Sequence, residues 1–361
     1  MGLNLCFIGT ELIYNQPFQE YIFRKLQKHC EYIQNCVFFK DGDKELFLAV
    51  ERMLSTQKKI VFITTKKSFK TISKILSTIN EDSLVIKEEM LVPSSVKIWK
   101  KNTYLLETKE ATVNVIQVET NKKLPTILLE EKTPLVVQIF EENIDTLQTL
   151  LHPLTQTYEV KIEYVQLIPG WIELYVFSKR YGNKENFLKA LLQLLKEKAI
   201  VTDNIMQHII KTLSKTQQKI TFAESCTGGL FSYYLTRNNG ASAILDGSLI
   251  TYANHIKESW LAVSQESLIQ YGAVSSAVVE EMSEGALGVS EADFAISVSG
   301  IAGDSGGSEE KPVGTVFLNV RSKEKNTTLH LQLQGDRNYI QYQSVLYGIK
   351  TLLVENRSLF F

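Results

Sequence analysis

The sequence predicts an α/β protein of more than one domain. Two observations carry this: short apolar runs alternate with amphipathic stretches over residues 1–90 and again after 200, and the 361-residue chain exceeds the roughly 100–200 residues of one domain. Such alternation builds a largely parallel sheet with helices on both faces. Residues 3–9 predict a strand, 18–29 a helix, 32–39 a strand, 44–54 a helix, 59–64 a strand and 68–77 a helix. From 82 to about 140 the pattern turns β-rich and less regular, with strands expected at 103–106 and 113–118. A small α+β module begins near 155, where 158–168 and 171–177 flank Pro169-Gly170 as a hairpin before a helix at 184–198. A helix at 203–214 leads into the second alternation: strand 220–223, helix 228–235, strand 248–252, helix 275–287 and strands 294–299 and 315–320. A helix at 337–354 ends the series. The domains expected are therefore 1–152, 153–200 and 201–361.

Lys plus Arg (39) nearly cancel Asp plus Glu (40), so long-range attraction to nucleic acid or an anionic membrane is not expected. The four cysteines show no metal-binding spacing, which suits a reducing compartment. The opening MGLNLCFIGTEL has no basic leader or small-residue cleavage site, and no apolar run approaches the roughly 18–20 residues that span a bilayer. The expectation is a cytoplasmic protein.

Thr221-Phe-Ala-Glu224-Ser225-Cys226-Thr227-Gly228-Gly229 lies between an expected strand and an expected helix. Such a turn can present a hydroxyl nucleophile and stabilise an anion with backbone N–H groups. A plain helix cap by Ser225 or Thr227 accounts for the same residues equally well. Next, Tyr252, Asn254 and Lys257 follow a strand near the sheet edge where open α/β sheets bind ligands. Lys257 alone reads as a solvated side chain. Paired with Ser225 in a cleft it becomes a base, because a desolvated lysine loses its proton near neutral pH. His255 is the rival base.

A third stretch, from Ser299-Gly300 through the glycines at 303, 306 and 307 to Gly314-Thr315, lets backbone approach a ligand or simply makes a crossover turn. It contains no common nucleotide-binding fingerprint. Gly335-Asp336-Arg337 opens the last helix, where Arg337 can grip a phosphate or carboxylate in two-pronged fashion or pair with an acid such as Asp336.

Taken in order, AESCTGG, TYANHIK, YGAVS (271–275), SGIAG with GGSEEKPVGTV, and GDR resemble the amidase domain of the CinA competence/damage-inducible family over about residues 205–355. The resemblance implies hydrolysis of the carboxamide of nicotinamide mononucleotide to nicotinate mononucleotide and ammonia, a pyridine nucleotide salvage step without metal or cofactor. It implies Ser225 as nucleophile, Lys257 as base, and Tyr252, Ser299 and Arg337 as further pocket positions. Thr227, Gly228, Asn254 and Gly300 are expected around the substrate. Cys226 competes with Ser225 by position. The chain departs from the family at Asp304, where proline is common, and at Gln341, where a second arginine often stands.

The front half resembles the family's molybdopterin-binding-like domain through IGTEL (8–12). The stretch Ile63-Thr-Thr65-Lys66-Lys67-Ser68-Phe69 lacks the glycines and the acid of a phosphate and metal loop, so lost pyrophosphatase activity is expected. Lysines 58, 59, 66, 67, 70 and 74 read as a solvated helix face. The middle module resembles the family's KH-like linker domain without a GXXG clamp, so RNA binding is not implied. The resemblance also implies a homodimer or higher oligomer. A non-catalytic protein that keeps the fold is the competing expectation.

Overall fold

A computed structural model describes residues 2–131, 134–303 and 305–361 and divides the chain into two compact units, one ending at Pro134 and one starting at Leu135. The first unit opens with β1 (Leu3–Ile8), α1 (Thr10–Tyr14), α2 (Gln16–Leu26), β2 (Ile33–Phe39), α3 (Leu46–Thr56), β3 (Lys59–Thr64) and α4 (Lys66–Ile79). It continues with β4 (Leu84–Lys87), β5 (Met90–Pro93), β6 (Ile98–Lys100), β7 (Thr103–Glu107) and β8 (Thr112–Gln117). Six strands form one sheet in the order β2-β1-β3-β8-β7-β6. The pairs among β2, β1, β3 and β8 are parallel and the last two are antiparallel. Every residue of β1 is buried because apolar layers cover both faces: Val50, Phe69 and Leu76 on one, Leu12, Ile22 and Leu26 on the other.

The second unit begins with β9 (Leu135–Phe140), α5 (Ile144–Thr157), β10 (Val160–Ile168), β11 (Trp171–Ser178), α6 (Lys184–Leu195) and β12 (Ala199–Val201). These strands form an antiparallel sheet, β10-β11-β9-β12, with α5 and α6 packed on it through Leu147, Leu151, Phe187 and Leu191. The boundary expected at 152 thus falls at 134. The run LVVQIF supplies the strand between β11 and β12, and residues 152 and 153 lie inside α5.

The rest of this unit comprises α7 (Ile205–Thr216), β13 (Ile220–Glu224), α8 (Leu230–Thr236), β14 (Leu249–Ile250), α9 (Asn254–Leu261) and α10 (Gln265–Gln270). It ends with α11 (Ser276–Ser290), β15 (Phe294–Gly300), β16 (Thr315–Ser322), β17 (Asn326–Gln332), α12 (Arg337–Glu355) and α13 (Arg357–Phe360). The sheet runs β14-β13-β15-β16-β17, parallel across the first three strands and antiparallel thereafter. From β13 the chain passes first to one neighbour, β14, and then to the other, β15. The carboxyl end of β13 is therefore the switch point at which open sheets leave a crevice.

Side chains alternate across the sheet as the strand period requires. Phe222 and Ile296 face a layer containing Phe231, Val345 and Ile349 of α8 and α12. Ala223 and Ala295 face Leu261, Val278 and Met282 of α9 and α11. A Cβ on Gly285 of α11 would lie 1.9 Å from the Leu261 carbonyl oxygen, so the missing side chain lets α9 sit directly on α11. Gly285→Ala is expected to push α9 outward and destabilise the protein by about 1–3 kcal/mol in urea denaturation. Unchanged stability would contradict this account of the helix contact.

Candidate active site

Glu224 ends β13, and its neighbours pin the backbone there from both sides. Thr251 N–H donates to the Glu224 carbonyl at 2.8 Å, and Ser225 N–H donates to the Val298 carbonyl at 3.0 Å. The chain then turns through Gly228 (φ 60°) and Gly229 (φ 102°), both in the left-handed region that favours glycine, before α8 begins. This turn holds Ser225 at the switch point.

Lys257 comes from the first half of α9, on the opposite side of the Ser225 turn from α12. Its side chain is 1% exposed. Its Nζ lies 3.1 Å from Ser225 Oγ, 2.6 Å from the Thr251 carbonyl oxygen and 3.1 Å from the Tyr252 carbonyl oxygen. Burial strips water from the ammonium group and lowers its pKa to about 8, against a smaller opposing effect of Cys226. As an ammonium the group donates to all three oxygens; once it loses a proton, two N–H bonds can stay on the carbonyls and leave the lone pair towards the serine hydroxyl. His255, the rival base, is exposed on the same turn, as is Asn254.

The rest of the expected set divides between the surroundings of the serine and the scaffold. Tyr252 contributes its carbonyl, while its ring is 63% exposed. The Thr227 hydroxyl donates to Glu224 at 2.8 Å, and the Ser299 hydroxyl donates to the Ala273 carbonyl at 2.7 Å, so both are committed within the protein. Gly228 donates its N–H to the Ser225 carbonyl at 3.1 Å. A Cβ on Gly300 would lie 2.9 Å from the Thr315 carbonyl oxygen, so this residue serves the close approach of β15 and β16. Cys226 is buried beside Ser225, and desolvation pushes its thiol up to about 12, which removes its nucleophilic form at neutral pH.

Arg337 starts α12 and is exposed, its guanidinium packed against Gly303, where a Cβ would lie 2.3 Å from its nitrogen. No carboxylate pairs with it among the described residues. Asp336 instead caps the helix by accepting from Tyr339 N–H at 2.8 Å. Asp304 lies outside the described residues. Gln341, one turn beyond Arg337, donates from Nε2 to the Cys226 carbonyl at 2.7 Å.

Sequence reasoning assigned no role to Glu224, which is fully buried. Its Oε2 accepts from the Thr227 hydroxyl and from the N–H groups of Gly229 and Phe231 at 2.8, 3.0 and 3.1 Å. Its Oε1 accepts from Ser232 N–H and hydroxyl at 3.0 and 2.8 Å. The carboxylate thus occupies the helix N–H groups that sequence reasoning reserved for an anion. Among the described residues, no other residue accepts from the N–H groups of Cys226 and Thr227, and that of Cys226 lies against its own thiol. An acid at the end of a strand, followed by small polar residues, was the available signal.

In the first unit, a cleft of about 480 Å³ is lined by Glu11, Asp41, Thr65, Lys66, Lys67 and Glu119. The turn into α4 is closed on itself: Ser68 N–H donates to Thr65 Oγ1, Thr65 N–H donates to Ser68 Oγ, and Ser68 Oγ donates to the Ile8 carbonyl at 2.7 Å.

Residues 202–355 match the family model described as the CinA C-terminal domain. A CinA-like protein of Prochlorococcus marinus (strain MIT 9301) is 36% identical over 219 residues, 58% of this chain and 49% of that protein. The nicotinamide-nucleotide amidohydrolase PncC of Enterobacter agglomerans is 47% identical over 137 residues, 38% of this chain and 84% of that protein. The solved structure of the competence/damage inducible protein CihA from Agrobacterium tumefaciens aligns at 35% identity, covering 44% of this chain and 98% of its own, with a TM-score of 0.41. The chain spans about half the length or less of the CinA-like relatives it matches.

Glu224→Ala leaves five donors without their shared acceptor. It is expected to cost about 3–5 kcal/mol in urea denaturation, as removal of one member of a buried charged network does. A loss below about 1 kcal/mol would contradict the clamp.

Proposed function

The chain belongs to the CinA family, and on that premise we propose that its C-terminal domain hydrolyses the carboxamide of nicotinamide mononucleotide to nicotinate mononucleotide and ammonia. The reading is supported by the 47% identity to a nicotinamide-nucleotide amidohydrolase across most of that relative's length. The single observation that carries the mechanism is the 3.1 Å contact between the buried amine of Lys257 and the hydroxyl of Ser225.

In the proposed reaction, Ser225 Oγ bonds to the carboxamide carbon as Lys257 takes the hydroxyl proton. The negative oxygen of the tetrahedral adduct is met by the Cys226 and Thr227 N–H groups. The C–N bond then breaks, Lys257 returns the proton to the departing nitrogen, and ammonia leaves an acyl ester on Ser225. Water attacks that ester as Lys257 accepts its proton; the C–Oγ bond then breaks, Lys257 returns the proton to Ser225 Oγ, and the acid product leaves and ionises. All the groups required are protein groups, so the proposal includes no metal or cofactor. Arg337, exposed and without an acidic partner among the described residues, is assigned to the substrate phosphate. The Tyr252 ring, facing solvent beside the base, is assigned to the pyridine.

We assign the N-terminal unit a scaffolding role. The turn at 65–68 satisfies its own donors, and the three acids around its cleft outnumber the two lysines. Among the described residues, no helix is long and apolar enough to cross a membrane.

Purified protein incubated with nicotinamide mononucleotide is expected to release ammonia. Ser225→Ala and Lys257→Met should each lose at least about 10³-fold in kcat/KM, while Cys226→Ala keeps most of it. Because the base must be neutral and its pKa is about 8, kcat/KM should climb about tenfold per pH unit below 8 and level off above it. No ammonia from the wild type removes the function. Equal release from Ser225→Ala removes the mechanism.

A further inference from the structure

We propose that Gln341 is a positioning residue for oxyanion stabilisation, fixing the Cys226–Thr227 peptide from α12 so that the Thr227 N–H faces the acyl carbon on Ser225. This rests on the amidase reading and adds to it a residue that touches neither substrate nor reacting atoms.

The contact is a Gln341 Nε2 donor on the Cys226 carbonyl at 2.7 Å, spanning 115 residues of sequence. Among the described residues no other group donates to that carbonyl. In a trans peptide the C=O of one residue and the N–H of the next point in opposite directions. Cys226 packs in the layer shared with α8 and α12, whereas Lys257 reaches Ser225 from α9 on the other side. A bond that draws the carbonyl towards α12 therefore turns the Thr227 N–H towards the side where the amine meets the serine.

The turn needs such a tether. The plane turns about Cys226 ψ and Thr227 φ, ahead of the left-handed glycines at 228 and 229, and among the described residues the Gln341 amide is the group that bonds to it. The helix that supplies Gln341 is itself fixed, with Ile340, Ser344 and Val345 buried and Asp336 capping its first turn. The hydrogen bond thus transfers the rigidity of α12 to one peptide plane. Preorganised donors of this kind act because they need not reorient as charge develops.

The test uses the full-length chain and two readouts. A fluorophosphonate probe labels Ser225 when Oγ bonds to phosphorus, fluoride leaves and Lys257 accepts the hydroxyl proton; intact mass gives the rate. This readout needs the nucleophile, the base and the oxyanion donors but not the nucleotide. The second readout is kcat and KM for nicotinamide mononucleotide. Gln341→Met keeps the length and removes the donor, and should slow both labelling and kcat about tenfold or more with KM within about threefold. Gln341→Arg restores a donor and should recover most of the labelling rate. Circular dichroism confirms that both variants are folded.

Labelling of Gln341→Met at the wild-type rate, or of Gln341→Arg as slowly as Gln341→Met, overturns the proposal even if the wild type releases ammonia. Slow labelling of Gln341→Met with recovery in Gln341→Arg supports it even if the wild type leaves nicotinamide mononucleotide intact, an outcome that removes only the substrate assignment. A wild type that the probe does not label at Ser225 overturns both.

Discussion

Burying a lysine amine costs free energy unless its polar atoms find partners or its charge is given up. At Lys257 the first happens and the second is brought within reach, because two carbonyls take its N–H groups and desolvation brings its pKa down to about 8. The carbonyls belong to Thr251 and Tyr252, immediately after the two-residue strand β14. That strand is short for a reason: the chain leaves the sheet there so that backbone carbonyls bend over the amine. The close seat of α9 on α11 at Gly285 keeps Lys257 within reach of Ser225.

A second buried charge sits two residues before Cys226, and it does different work. Glu224 collects the N–H groups at the start of α8, so that helix end is satisfied before any ligand arrives. The consequence is a division of labour among four successive residues, 224–227. The carboxylate builds the turn, the hydroxyl of Ser225 faces the amine, and the N–H groups of Cys226 and Thr227 follow it. Cys226, although adjacent to the nucleophile, packs into the core and keeps its thiol protonated.

Much of this was legible in the sequence because it is local. The alternation of apolar runs located most of the strands of the two larger sheets, and AESCTGG followed by TYANHIK brought Ser225 and Lys257 forward as a pair. What stayed hidden depends on contacts distant in sequence. The run Leu135–Phe140 joins the small module only because it pairs with β11 and β12, and the periodicity of one strand cannot name its partner. Thr227 and Ser299 look like substrate ligands because they are hydroxyls in the right motifs, yet both bond within the protein. Gln341 looked like a lost charge, and only the fold brings its amide to the Cys226 carbonyl.

The central claim is that the Lys257 amine is held ready to be neutral beside a hydroxyl. Nitrogen-15 NMR of lysine-labelled protein, with the resonance assigned by its absence in Lys257→Met, follows that proton directly. The account predicts a titration midpoint near 8, well below the ordinary value of 10.5. A midpoint at 10 or above would contradict it, because the neutral fraction able to offer Ser225 a lone pair near pH 7 would then be about a hundredfold smaller.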